Sequence, residues 1–251
     1  MTVEIIDLIS GIFSLIFVII TSFVGLRTIA KYFKTRQNKA ILWIGCAWTL
    51  ISCPWWPSAI SAFVALATGT GLSFEMYVFL GTFFVPILVV FMLIALTELY
   101  FNEKRMIIIS IFIIIGSLFE IYLIYHLVVD PNVLGSLKGV VDIEYKGFLR
   151  YYLIFSTLVI FISGILISLS SLKSDSQEIK LRGKLLTVAY IIFFLGAVAD
   201  SSLTLDIITL PIVRLMLITS SILFYLGIIL PNWMKKLFIK EGDLLKEGTK
   251  I

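Results

Sequence analysis

The chain has 251 residues, 60% of them hydrophobic and only 14% charged, with a formal net charge of +4. A soluble domain of this length has no interior large enough for so much apolar side chain, so the composition excludes a soluble globular protein and points to a polytopic membrane protein. Two cysteines and one histidine also exclude a disulfide scaffold and a histidine-rich zinc site.

The opening MTVEIIDLIS carries Glu4 and Asp7 where a signal peptide would carry basic residues, and the apolar run behind it is too long for an h-region. A retained first span over about 8–26 is therefore expected, closed by Arg27, Lys31, Lys34, Arg36 and Lys39. The second span, 40–67, runs 28 residues without a charge, which at about 1.5 Å per residue crosses a hydrocarbon core of roughly 30 Å even when bent. Pro54 and Pro57 supply the bend. Cys46 and Cys53 lie in this span about two helical turns apart, too far to bridge.

The third span, 76–97, contains Pro86, and the fourth, 106–129, contains Glu120 and the sole histidine, His126. Between the fourth span and the fifth, 151–172, the alternation VVDIEY predicts that the 130–147 link folds back as a lid or short hairpin. Spans at 185–203 and 207–229 complete an all-α bundle of seven transmembrane helices. The bundle forms one domain, 1–232, followed by a short basic amphipathic tail, 233–251, in which Trp233, Leu237 and Phe238 alternate with lysines as in a surface-lying helix.

Orientation follows from the links. The N-terminal flank and the links after spans two, four and six hold three basic residues, Lys138, Lys146 and Arg150, whereas the opposite links and the tail hold sixteen. The bias places the N-terminus outside and the C-terminus in the cytoplasm of a multi-pass protein of the cell membrane. The basic charge is thereby a topology signal in contact with the lipid bilayer, and it calls for no nucleic-acid partner.

The stretch FFLGAVADSSLTLDIITLPIVR, residues 193–214, sets Asp200, Asp206 and Arg214 in apolar surroundings. A charge within the hydrocarbon layer costs roughly 2.5–3.5 kcal/mol, so its presence marks a functional site or a tight pair. Asp200 is the expected partner of Arg214. Glu120 stands roughly 21 Å up span four by helical rise, close to the depth of Asp200, so the three groups are expected to share a polar cavity. Trp48, Trp55 and Trp56, away from the interfacial belts and beside the two prolines, are the expected apolar wall of that cavity. Glu98 is read as an interfacial charge beside Lys104 and Arg105, His126 as interfacial, and Trp43 and Trp233 as belt residues.

Seven spans with an external N-terminus resemble the microbial rhodopsins, but no lysine lies between Lys184 and Lys235 to carry retinal, and no cofactor is expected. The span count and the closing LGIILPNWMKKLF resemble the seven-helix sensor regions of prokaryotic signalling proteins. That resemblance implies a receptor-like sensor. A small ligand from outside would occupy the cavity of Glu120, Asp200, Arg214, Trp48, Trp55 and Trp56, and a separate cytoplasmic protein would receive the signal, because the tail is too short for an output domain. A transporter or channel using the same carboxylates is the rival reading, and a membrane-embedded enzyme the third.

Overall fold

The computed structural model describes residues 4–36, 38–203 and 205–239. Seven helical segments within it are long and apolar enough to cross a membrane, which makes the chain, by length and composition, a multi-pass membrane protein. The first is α1 (Ile5–Thr35). The second is broken into α2 (Lys39–Leu50) and α3 (Trp56–Thr68), and the third into α4 (Phe74–Thr82) and α5 (Val85–Tyr100). Single helices make the other four: α6 (Arg105–Val129), α7 (Gly147–Leu172), α8 (Gln177–Ser202) and α9 (Thr209–Ile229). A short α10 (Asn232–Phe238) follows.

Several helices outlast the apolar windows read from the sequence. Helix α1 continues past Leu26 to Thr35, and α8 starts at Gln177 rather than near Leu185. A basic helix end costs nothing where it leaves the hydrocarbon, so hydropathy locates the membrane part of a helix and not its termini. Of the tail, α10 and Ile239 are described, and residues 240–251 lie outside the described residues.

Both breaks are followed by a proline. A short 3-10 turn, Cys53–Trp55, separates α2 from α3, and Pro57 and Pro86 each fall within the first two positions of the helix that restarts, where a missing N–H has no helical acceptor to lose. The breaks lie side by side: a Cβ on Gly81 of α4 would sit 3.1 Å from Pro57 Cγ and 3.6 Å from the Pro54 carbonyl oxygen.

Six spans close a ring in the order α1, α2, α5, α7, α8, α9 and back to α1, and α6 packs outside it against α5. The ring encloses an aromatic core in which Trp48 stacks on Phe224 at 3.6 Å, with Tyr190 and Phe193 against the edges of Trp48. Small and hydroxylated residues let the helices approach. Thr21 of α1 and Ser221 of α9 share a hydrogen bond at 3.0 Å, as expected where no solvent competes for polar groups. Cys46 and Cys53 are free thiols.

The link after α6 forms an antiparallel hairpin of β1 (Gly135–Lys138) and β2 (Asp142–Tyr145), with Lys138 opposite Asp142. It folds back onto the bundle as the alternation suggested, and its tip is held from several sides. The Val141 carbonyl accepts from Tyr77 Oη at 2.6 Å and from Ser58 Oγ, and the Val140 carbonyl accepts from Ser61 Oγ. Asp7 of α1 accepts from the Val140 amide at 3.4 Å. Gly139, with φ +68°, turns the tip so closely against Asp7 that an added Cβ would lie 2.6 Å from its Oδ1.

Candidate functional site

Beneath the hairpin, a cavity of about 100 Å³ opens between α3, α4, α7, α8 and α9. That is room for several waters or a small polar molecule. The proline break turns Trp55 inward, where its Nε1–H donates to Asp200 Oδ2 at 2.8 Å and its ring edge meets Phe17. Arg214, 4% exposed, brings Nη2 to 3.3 Å from Asp200 Oδ1 and lays its guanidinium carbon 5.9 Å from the Trp55 ring centroid.

The Arg214–Asp200 contact is an ion pair without an aligned hydrogen bond. Asp200 Oδ1, Arg214 Nε and Arg214 Nη1 are buried with no hydrogen-bond partner among the described residues. Buried polar atoms are ordinarily satisfied, so these three atoms single out the cavity as the candidate site.

The hairpin contributes the remaining polar lining. The Tyr145 hydroxyl is buried without a partner, and burial raises its pKa well above the usual phenol range, which keeps it a protonated donor. Asp142 accepts from its neighbour Ile143 N–H at 2.8 Å. It keeps an exposed face at the rim, where the cavity meets an outer groove bordered by Asp7, Ser10 and Lys138. Desolvation by the protein around it raises its carboxyl pKa, the nearby Asp200 adds to the shift, and Arg214 and Lys138 oppose it.

A carboxyl whose pKa is raised on folding binds more protons in the folded state. Hairpin packing therefore weakens as pH rises from the ordinary Asp range through the raised value, and strengthens as pH falls back through it. Amide exchange at Val140, Val141 and Ile143 is expected to slow on acidification across that window, and Asp142→Asn is expected to remove the pH dependence. Equal pH dependence in wild type and Asp142→Asn would assign the effect to another group.

The sequence-derived candidates separate into those that share the cavity and those that do not. Trp55, Asp200 and Arg214 line it together. Trp48 lies below, fully buried in the aromatic core. Trp56, one residue round the helix from Trp55, points to a second core with Phe84 and donates to Ser52 Oγ at 3.2 Å. Glu120 faces a separate apolar groove between α5 and α6, beside Pro86 and Gly116, with Oε2 unpartnered.

Other charged groups have structural partners. Asp206 Oδ1 accepts the amides of Ile208 and Thr209 at 2.9 and 2.7 Å in the turn entering α9, which holds its carboxyl below the usual range. Glu98 pairs with Arg105. His126 packs against Tyr122 and Tyr125.

Sequence reasoning missed Ser58, Tyr77, Asp142 and Tyr145. The one readable signal was the VVDIEY alternation, which places Ile143 and Tyr145 on one hairpin face, and both line the cavity. No protein family, curated protein or solved structure matches the chain.

Proposed function

We propose that the protein is a receptor-like membrane sensor that takes a small polar ligand into the cavity under the hairpin and signals to a separate cytoplasmic protein. The charge bias of the links supports an orientation with the cavity outside. The observation that carries the reading is Arg214: a buried guanidinium in the cavity lining, whose Nε and Nη1 have no hydrogen-bond partner among the described residues, has N–H groups left to donate to a ligand oxygen. Asp200, Asp142 and Tyr145 offer complementary positions for ligand donors and acceptors. Trp55 and Tyr77 supply the flat walls usual in small-molecule sites.

Binding is favoured over passage because the aromatic stack of Trp48, Phe224 and Tyr190 fills the ring below the cavity. The test uses Ser156, which is buried and lines the cavity from α7, a helix that contributes none of the cavity's charged residues. Ser156→Phe fills the space without altering charge. Native mass spectrometry of purified protein is expected to show a retained small molecule that is lost in Ser156→Phe at unchanged unfolding temperature. Flux of a solute into liposomes, with no retained ligand, would overturn the sensor reading in favour of a transporter.

A further inference from the structure

At the end of the bundle where basic residues gather, α8 carries cations in two different situations. Glu178 accepts from Arg182 Nη2 at 2.7 Å and from Lys235 Nζ at 2.6 Å. Arg182 and Lys31 also donate to the Ile228 carbonyl at the end of α9, a favourable place for positive charge. Lys180 and Lys184, one turn apart on α8, have no ion-pair partner among the described residues. Like charges at that spacing repel, and nothing on α8 relieves them.

These two lysines stand at the rim of a groove of about 390 Å³. Its trough is formed by Leu185 and Val188 of α8, Leu223 of α9, and Phe238 with Ile239 at the end of α10. Val188 is 46% exposed and Phe238 61%. Helix α10 has the character of an interfacial helix, with Met234 buried and Trp233 and Leu237 exposed, and the Lys235–Glu178 pair ties it to α8. Positive charge at the level of the helix ends, directly above an apolar trough that no described residue covers and that descends along a membrane-spanning helix, matches one kind of molecule in both charge and shape.

We propose that this groove binds an anionic phospholipid, with the phosphate between Lys180 and Lys184 and one acyl chain along Val188, Leu223 and Phe238. A soluble anion would leave the trough uncovered. A zwitterionic lipid would bring its own cation beside the two lysines.

The test is native mass spectrometry of the full chain in detergent, titrated with phosphatidylglycerol, with phosphatidylcholine, or with inorganic phosphate. Phosphatidylglycerol is expected to bind about tenfold or more tightly than phosphatidylcholine. Lys180→Gln with Lys184→Gln is expected to abolish that preference, and Val188→Trp to weaken both lipids while leaving the charges in place. Lys173→Gln, a charge removed from the link before α8, is expected to leave the preference unchanged. Unfolding temperatures of the lipid-free variants verify folding. Equal retention of the two lipids, or a preference that survives the double substitution, overturns the proposal. So does inorganic phosphate competing fully with the lipid while Val188→Trp has no effect, since the groove would then serve as a simple anion site.

Discussion

Asp200→Asn is expected to destabilise the protein in detergent by about 3–5 kcal/mol, the usual cost of leaving one member of a buried ion pair without its partner. Arg214 would keep the face of Trp55, 5.9 Å from its guanidinium carbon, and the field of the Asp142 carboxyl, but no ion-pair partner among the described residues. Arg214→Leu is expected to cost less, because Asp200 retains the Trp55 indole N–H at 2.8 Å as a donor. The double substitution strands no charge and is expected to cost less than either single change. The pair is mostly screened from solvent, at 5% and 15% side-chain exposure, so the coupling is large enough to read from unfolding temperatures. Additive losses in the double variant would show that the two residues do not stabilise each other, and equal single losses would remove the part assigned to Trp55.

The second large effect is expected at the crossing of α1 and α2. A Cβ on Gly25 would lie 2.2 Å from Thr49 Oγ1 and 2.6 Å from the Thr49 backbone nitrogen. The hydroxyl can rotate, but the backbone cannot yield unless the helices part. Gly45 faces the same crossing, where its Cβ would stand 3.1 Å from the Gly25 carbonyl oxygen. Gly25→Leu is therefore expected to cost about 3 kcal/mol, the upper end of the overpacking range. Parting α1 from α2 also displaces Trp48 from its stack on Phe224, so tryptophan fluorescence should change with the unfolding temperature. Ile16→Ala, a trimming of a lipid-facing side chain on the same helix, is the control and is expected to have little effect. A Gly25→Leu protein as stable as this control would mean that the two helices are not in contact at this point.

Depth was legible in the sequence and direction was not. Hydropathy and proline placed the seven spans and the break in the second, because removing a polar backbone or side chain from water sets those positions whatever the neighbours are, whereas the break before Pro86 in the third was not read. Asp200 and Arg214 could be paired in advance because two opposite charges on consecutive helices at similar depth have few other solutions. Glu120 is at a similar height, yet α6 lies outside the ring and turns that carboxylate toward α5. Helical rise gives height, and only tertiary packing decides which way a face points. The tryptophans divide for the same reason. Trp48 shares a face with Trp55 two turns lower and enters the core, while Trp56 is rotated by one residue into another cluster. The hydroxyls of Ser58, Tyr77 and Tyr145 come to the cavity from α3, α4 and the hairpin, whose meeting depends on side chain to carbonyl bonds across 64 to 83 residues of sequence.

The paired proline breaks divide the molecule into two storeys. Above them, α3, α4 and the hairpin are laced together by Ser58, Ser61 and Tyr77. Below them, α2 and α5 continue without interruption to the end where Trp43 rests on Phe91 at 5.6 Å. The helical ladder is interrupted at two adjacent points on one level, which sets α3 and α4 apart from the helices they follow or precede. An occupant of the cavity would touch the upper storey through Tyr77 and Tyr145 and the footing through Ile51 and Leu88. It would thus bridge the two storeys at the level where the helical ladders are interrupted.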